Sequence, residues 1–327
     1  MEDWAVILVV IGLYLVVTAS VGLLAGRGRE SSFDEFVNAG RSLGPFVSYF
    51  LMGATVFSAF AFLGAPGWAY GRGAAAFFIL AYSSTGLWTM FFIGPAVMAL
   101  GRKYGYSTQC ELLRGRFQSR WVSIVVATVT ILAFIQYITL QMKGSGYVFS
   151  TATGGRISFN AGAFIAYAVV IVYVFWGGVR GVAWTNVFQG IFLLCVAWIL
   201  GLYIPWKLHG GIAPMFHKIA ASDPGHLLIG QPGSHVSYAE FSSTIIVTFL
   251  GFCMWPSIFM RAYNLDSVRT LRRTIMLYPT FALFLVPVLL IGFAGISFVD
   301  LGALGLQDDA ILPYMILHLG FSAVVVG

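Results

Sequence analysis

Long apolar segments recur along the chain and are separated by short polar loops. About 20 consecutive apolar residues are enough for a helix to cross a bilayer. The segments lie at 4–26, 45–70, 74–100, 121–142, 158–177, 183–206, 240–260, 275–299 and 311–327. This pattern predicts eight complete transmembrane helices and a ninth that stops after 17 residues at Gly327. We therefore expect the 327 residues to be a truncated chain that does not transport by itself.

The stretch 44–73 differs from a simple lipid-facing helix. A patch of small and hydroxyl-bearing residues around Gly53, Thr55 and Ser58 is followed by the sequence GAPG at 64–67. Proline removes a backbone donor and glycine loosens a helix, so the hydrogen-bond ladder should be weakest at mid-membrane, with 53–58 unwound. Freed carbonyls at that depth must be buried or line a cavity, where they can hold a cation. The alternative is a kinked helix that packs tightly through its small residues.

A second apolar segment, 240–260, is also interrupted. Gly251 and the pair Trp255-Pro256 break it, and Ser257 follows. Interrupted helices in corresponding positions of two halves indicate a binding site between inverted repeats.

Polar side chains within other predicted helices are further candidates. Tyr137 and Gln141 are four residues apart and share a helix face, where they either line a cavity or hydrogen-bond to another helix. Tyr82 and Ser83 either line a cavity or bond back to carbonyls of their own helix. The hydroxyls at 84–85 are expected to bond back to carbonyls of their own helix.

Charge placement predicts the orientation in the membrane. The chain is 59% hydrophobic, only 9% charged, and has a net charge of +6. Such a low charged fraction excludes a soluble globular domain. With the N-terminus outside, 13 of the 18 Lys and Arg residues fall in inner loops, as the positive-inside rule requires. We expect a multi-pass protein of the cell (inner) membrane, with 101–120 and 261–274 inside and 207–239 outside. The positive charge then reflects topology, not nucleic-acid binding.

Acidic residues are missing from the interior of every predicted span. A proton relay or an intramembrane enzyme needs such groups, so we expect no enzyme. The spans also offer no buried Lys or Arg, so a solute carboxylate would need helix N-termini, hydroxyls or a bound ion. Four histidines lie in the 207–239 loop, namely His209, His217, His226 and His235. Because exposed-loop histidines are usually solvated, we expect no metal there.

Two shorter patterns make local predictions. Thr108 and Glu111 form a capping box, which predicts the start of a short surface helix. Gly22 and Gly26 form a GxxxG pair, which indicates close packing of the first helix against another.

Several motifs, in this order, are similar to those of the sodium/solute symporter family, in particular its monocarboxylate- and pantothenate-type bacterial branch. They are GRSLGP at 40–45, FLGAPGWAYGRG at 62–73, GYSTQCELLRGRF at 105–117, GGVRGVAWTNVFQG at 177–190 and WPSIFMRAY at 255–263. The resemblance covers nearly the whole chain. It implies an all-α integral membrane protein with the leucine-transporter-type inverted repeat of five helices. One extra N-terminal helix at 4–26 would precede a first repeat at 44–206 and a partial second repeat at 240–327.

The resemblance also implies sodium-coupled symport of a small organic solute, with a monocarboxylate expected for this branch. The sodium ion would bind the backbone carbonyls of Ala54 and Phe57, and its remaining ligands would lie beyond Gly327. Combining the resemblance with the polar positions above, the solute site would comprise Thr55, Ser58, Tyr82, Ser83, Tyr137, Gln141, Trp255 and Ser257.

Two departures from the family pattern change this picture. Asn186 stands where the family signature usually has Asp, and the pair 60–61 (Phe, Ala) replaces a polar pair of sugar-transporting relatives. A sugar substrate is therefore disfavoured.

The alternative function is the membrane sensor domain of a symporter-like histidine kinase. A purely structural membrane subunit is disfavoured by the two interrupted helices.

Overall fold

The computed structural model describes residues 3–27 and 32–326, which are almost entirely helical. The α-helices are α1 (Asp3–Gly26), α2 (Phe33–Asn38), α3 (Pro45–Val56), α4 (Ala65–Arg72), α5 (Phe78–Thr85), α6 (Trp88–Tyr104), α7 (Gln109–Phe117), α8 (Arg120–Ala152), α9 (Phe159–His209), α10 (Ile212–Ser222), α11 (Tyr238–Phe252), α12 (Pro256–Asn264), α13 (Val268–Ala282), α14 (Leu285–Gly295), α15 (Ile311–His318) and α16 (Ala323–Val326). Within these described ranges there is no β-strand, only an isolated parallel bridge between Leu43 and Leu265. The predicted all-α class is confirmed.

Six helical stretches in the described chain are long and apolar enough to cross a membrane. They are Asp3–Gly26, Phe60–Tyr104, Arg120–Ala152, Phe159–His209, Tyr238–Asn264 and Val268–Gly295. Their number is lower than the predicted eight because neighbouring segments join into longer runs. In α9, two predicted segments are joined through a kink at Gly178, which has a φ of 54° that suits glycine. The multi-pass membrane class is confirmed.

The chain forms two compact units. The first comprises Met1–Val56, Leu87–Gly190 and Gly251–Tyr278. The second comprises Phe57–Gly86, Ile191–Leu250 and Pro279–Gly327. Both interrupted helices change unit at or next to their break.

In the first unit, α1 packs closely on α9 through glycines. A Cβ added to Gly26 would lie 2.8 Å from the Cα of Gly177, and one added to Gly22 would lie 2.9 Å from the Cδ2 of Tyr173. Real Cβ atoms do not approach that closely, so each glycine permits the contact. The predicted GxxxG packing is confirmed.

Polar contacts hold the loops of the first unit. Arg180, in α9, pairs with Glu35 of α2 at 2.7 Å between Nε and Oε1, and both side chains are largely buried. The predicted capping box is also confirmed, because Thr108 accepts from the backbone of Glu111 while the Glu111 carboxylate accepts from the backbone of Thr108.

In the second unit, α4 packs against α14. A Cβ added to Gly292 would lie 2.1 Å from the carbonyl oxygen of Pro66, so no larger residue fits there. Tyr70 extends this contact, since its hydroxyl donates to the Val299 carbonyl at 2.9 Å and accepts from the Leu301 amide at 3.1 Å. The helix after the first break therefore has a rigid support.

The predicted continuous span at 311–327 is wrong over its described part. The chain forms two short helices there, α15 and α16, because the residues after His318 leave the helical conformation. Gly320 in this turn has a φ of 68°. Gly327 lies outside the described residues. An eight-residue helix is too short to cross a bilayer.

Candidate functional site

The first helix break lies at Phe57 and Ser58. Helix α3 continues to Val56, so the unwound region is shorter than the predicted 53–58. The π-helix Phe60–Gly64 then leads into α4, which has Pro66 in its first turn. Proline cannot donate to the carbonyl four residues before it, which explains the irregular turn directly upstream. The Ser58 hydroxyl accepts from the Phe60 amide at 3.2 Å and restarts the helix.

The two carbonyls predicted to bind sodium flank this break. Ala54 lies in the last turn of α3, where helix carbonyls have no intrahelical partner. Phe57 is the first residue after the helix. The Phe57 carbonyl lies outside any regular helix and the Ala54 carbonyl lies at a helix end. Both therefore keep lone pairs that can serve a cation.

The side chain of Thr55 is the acceptor of a polar cluster in the first unit. Its Oγ1 accepts from Asn186 Nδ2 at 3.0 Å and from Arg261 Nη2 at 3.3 Å. Two side chains from distant parts of the sequence thus meet at one hydroxyl in the last turn of α3. We refer to Thr55, Asn186 and Arg261 as the Thr55 cluster.

Arg261 corrects the expectation that no Lys or Arg is available to the solute, because it is half-buried and its hydrogen bond to Thr55 places it beside the first break. It belongs to α12, not to a loop, and its Nε is buried without a hydrogen-bond partner in the described part of the chain. No described carboxylate forms an ion pair with it. The sequence contained an indication of this. Pro256 is favourable in the first turn of a helix, so position 261 falls within the next turns and not after them.

Trp255 occupies the second break, between α11 and α12. Its ring meets those of Phe134 and Tyr137 edge-on, each at 5.4 Å between ring centroids. Ser257 lies in the first turn of α12, and Gln141 lies one turn beyond Tyr137 on α8. The structure therefore brings two of the predicted solute-site residues, Tyr137 and Trp255, into contact.

A cleft of about 320 Å³ lies beside Trp255 in the same unit. Its wall is formed mainly by apolar residues of α8 and of the second break, with Gln109 and Thr130 as polar members. Few polar groups on an apolar wall are typical of small-molecule pockets. Tyr137 and Gln141 are not among its lining residues.

In the second unit, the remaining predicted residues have local partners. The Phe57 ring packs on Phe284 and Phe281, at 4.4 and 5.6 Å between centroids. Tyr82 contacts the ring of Phe78. Ser83 is buried, and its hydroxyl donates to the Leu80 carbonyl at 3.3 Å.

Of the two alternatives for Ser83, the structure shows the hydrogen bond to a carbonyl of its own helix. The hydroxyls of Ser84 and Thr85 bond back to carbonyls of their helix as predicted.

Comparison with known proteins decides the family. The model of the sodium:solute symporter family matches residues 36–314. The chain belongs to the sodium:solute symporter family. Its relatives in this comparison are transporters, not enzymes.

Three relatives illustrate the range of this family. The chain is 32% identical to the uncharacterized symporter YhjB of Bacillus subtilis, over 98% of this chain and 67% of that protein. It is 27% identical to a monocarboxylate transport permease protein of Rhizobium johnstonii, over 86% and 57%. It is 24% identical to a sodium/proline symporter of Staphylococcus aureus, over 98% and 62%. The chain thus spans 57–67% of the length of these relatives.

A solved structure shows the fold. The chain matches a Na⁺-coupled sialic acid symporter in its substrate-bound outward-open state with a TM-score of 0.76. The match covers 98% of this chain and 67% of that one at 19% identity. The leucine-transporter-type architecture expected from the sequence is confirmed.

Proposed function

We propose that this symporter-family chain takes part in sodium-coupled symport of a small organic solute, specifically a short monocarboxylate, into the cell. The observation that carries the proposal is Arg261. It is a cation of the Thr55 cluster with a buried Nε that lacks a partner in the described chain and with no described carboxylate paired to it. A donor that is removed from water without a hydrogen-bond partner, such as this Nε, destabilises the protein until a partner binds. An anionic solute supplies that partner.

The guanidinium group suits a carboxylate in particular. It carries five N–H donors in a planar fork, which matches the two oxygens of a carboxylate. Only one of these nitrogens, Nη2, is engaged by Thr55. The others are available for a charge-assisted, two-pronged contact, which is stronger than a neutral hydrogen bond.

Asn186 explains why the charge of Arg261 stays available. Asn186 and Arg261 donate to the same Thr55 oxygen, so they are neighbours. A carboxylate at position 186, as in the usual family signature, would pair with Arg261 internally. The neutral amide leaves the positive charge for the solute.

Sodium has its own candidate ligands at the first break. The carbonyls of Ala54 and Phe57 are hard oxygen ligands, at the end of α3 and directly after it. Hard cations prefer such oxygens. Ala54 directly precedes Thr55, so binding of the ion and of the anion would order the same turn. Each would then raise the affinity of the other.

The named relatives support a carboxylate-bearing solute. One is a monocarboxylate permease and another a sodium/proline symporter, and both solutes carry a carboxylate. Proline also carries an ammonium group, for which the interiors of the predicted spans offer no acidic partner. A simple monocarboxylate fits the Thr55 cluster better.

Uptake measurements with the full-length protein test the proposal. Proteoliposomes with an inward sodium gradient should accumulate radiolabelled propionate, lactate or pyruvate, and replacing sodium by potassium should abolish the accumulation. Labelled proline is the comparison solute and should enter poorly. Proton-driven uptake that ignores sodium would contradict the coupling, and uptake of proline in preference to monocarboxylates would contradict the substrate class.

A further inference from the structure

A compact group of metal-ligand side chains lies in the loop between α10 and α11, within the second unit. Asp223, His226 and His235 each bring one ligand atom close to those of the other two. The distances are 3.2 Å between His226 Nδ1 and His235 Nε2, 3.3 Å between His226 Nδ1 and Asp223 Oδ2, and 3.5 Å between His235 Nε2 and Asp223 Oδ2. We refer to these three residues as the loop triad.

The tautomer of His226 follows from its other nitrogen. His226 Nε2 lies 3.1 Å from the backbone carbonyl of Ala69, which can only accept, so Nε2 carries the proton. In the neutral ring Nδ1 therefore presents a lone pair to the triad. One N–H from His235 can serve either this lone pair or the Asp223 carboxylate well, but not both. A cation between the three atoms satisfies all of them.

We propose that the loop triad binds a divalent transition-metal ion, with Zn²⁺ as the best fit. Zinc bonds to His and Asp at about 2.0–2.2 Å, so adjacent tetrahedral ligands are roughly 3.3 Å apart. The three observed separations scatter around this value. An octahedral ion at about 2.0–2.1 Å, such as Mg²⁺, needs ligands roughly 2.9 Å apart and prefers oxygen. Two imidazoles and one carboxylate suit zinc better.

The surroundings of the triad resemble those of established metal sites. A metal-bound histidine usually donates its second N–H to a carbonyl or carboxylate, which fixes the ring, and Ala69 has this role for His226. The side chains of His235 and Asp223 are 40% and 46% exposed, which leaves solvent access for a fourth, water ligand. The expectation that these loop histidines are solvated is wrong for His226, which is only 5% exposed.

The metal would connect the loop to the helix after the first break. His226 contacts the carbonyl of Ala69 in α4, and a Cβ at Gly73 would lie 1.9 Å from the carbonyl oxygen of His226. Zinc would thus hold residues 223–235 as one unit against the end of α4.

The experiment measures zinc on the purified full chain after removal of metal by chelation. Zinc affinity is measured against a competing chelator, and Co²⁺ is added separately, because its visible spectrum reports tetrahedral coordination by nitrogen and oxygen. The variants are His235→Ala and Asp223→Asn, whose side chains are partly exposed and so should not disturb folding. His217→Ala is the matched control, an exposed histidine on α10 outside the triad.

We expect one zinc ion per chain and a tetrahedral cobalt spectrum in the wild type. Loss of an outer-shell partner alone typically weakens a metal site about 10- to 100-fold, so each triad variant should lose at least that much affinity. His217→Ala should retain the wild-type value. Absence of bound zinc and of a tetrahedral cobalt spectrum in the wild type would overturn the proposal. So would zinc binding that survives both triad variants, or that is weakened equally by His217→Ala. The cobalt spectrum of the wild type tests the site even if a variant fails to fold.

Discussion

The Thr55 cluster and the loop triad are chemical opposites. In the first, the donors of Arg261 outnumber their acceptors, and Arg261 Nε is buried without a partner in the described chain. In the second, the lone pair of His226 and the carboxylate of Asp223 compete for the single proton that His235 can offer. Buried polar groups are normally satisfied, so an imbalance indicates what is missing. The first cluster calls for an anion and the second for a cation.

Replacing Arg261 should have the largest effect. Removing one partner of a buried charged contact costs about 2–5 kcal/mol, so Arg261→Gln should weaken monocarboxylate affinity roughly 30-fold or more. Arg261→Lys keeps the charge but loses the planar fork of N–H donors. Its monocarboxylate affinity should therefore lie between those of the wild type and Arg261→Gln. Concentration-dependent uptake measures the change. The control is Arg269→Gln, an exposed arginine in α13. An equal loss in that control would remove the special role of Arg261.

Adding an acid to the Thr55 cluster should come next. Asn186→Asp places a carboxylate beside Arg261 and should lower monocarboxylate affinity about tenfold or more, because the guanidinium then has an internal partner. Asn186→Ser removes the hydrogen bond to Thr55 without adding charge, and serves as the matched variant. If the serine variant lost as much affinity as the aspartate variant, the hydrogen bond and not the charge would matter.

Steric changes at the two predicted subsites should separate ion from solute. Ala54→Leu crowds a turn whose carbonyl is a candidate sodium ligand, and overpacking typically costs about 1–3 kcal/mol. We expect a several-fold higher sodium concentration for half-maximal uptake. Gln141→Ala should mainly raise the solute concentration that is required. Both constants are read from uptake at varied sodium and solute. If Ala54→Leu and Gln141→Ala changed the half-maximal sodium and solute concentrations equally, separate sodium and solute subsites would be contradicted.

Thermal unfolding can test directly whether the Thr55 cluster binds an anion and the loop triad a cation. A ligand at about 100 times its dissociation constant adds roughly 2.7 kcal/mol of stability, which corresponds to a shift of several degrees. Zinc should raise the unfolding midpoint of the wild type and of Arg261→Gln, but not of His235→Ala. A monocarboxylate with sodium should show the reverse pattern. Loss of both responses in one variant would indicate global damage and not a local site.

Chemical labelling of Cys110 should give the smallest effect. It tests whether the loop that contains α7 lies on the cytoplasmic side of the membrane. Cys110 lies in α7, in a loop expected inside the cell. Burial, with a further contribution from the charge of Glu111, raises the pKa of the Cys110 thiol. Because the thiolate reacts, labelling in inside-out vesicles should be slow at neutral pH and faster as the pH rises. An impermeant maleimide should not label intact cells, and Cys110→Ser is the control. External labelling would reverse the proposed orientation.

Local sequence patterns were sufficient for features that depend on nearest neighbours. The capping box at Thr108, the back-bonded hydroxyls at 84–85 and the glycine contact of α1 were all predicted correctly, because each depends on residues within one or two turns or on one face of a helix. The two interrupted helices were also predicted, since proline and glycine act on their own backbone. The extent of the first break was overestimated, because Gly53 to Val56 remain helical.

The length of the apolar segment predicts one span at 311–327, but the described part of this segment forms two short helices. A run of apolar residues signals burial equally well in a membrane and against another helix. Only the packed structure distinguishes the two.

The sequence by itself determined the membrane class, the all-helical fold and the family, because these depend on composition, periodicity and ordered motifs. Tertiary structure decided which polar side chains meet. Thr55 meets Arg261 from 206 residues away, and His226 meets the carbonyl of Ala69 from 157 residues away. The sequence alone predicts a loop charge for Arg261 and a solvated histidine for His226, because position along the chain carries no information about burial or distant partners. The sign of the charge that each cluster requires depends on those partners, which only folding brings together.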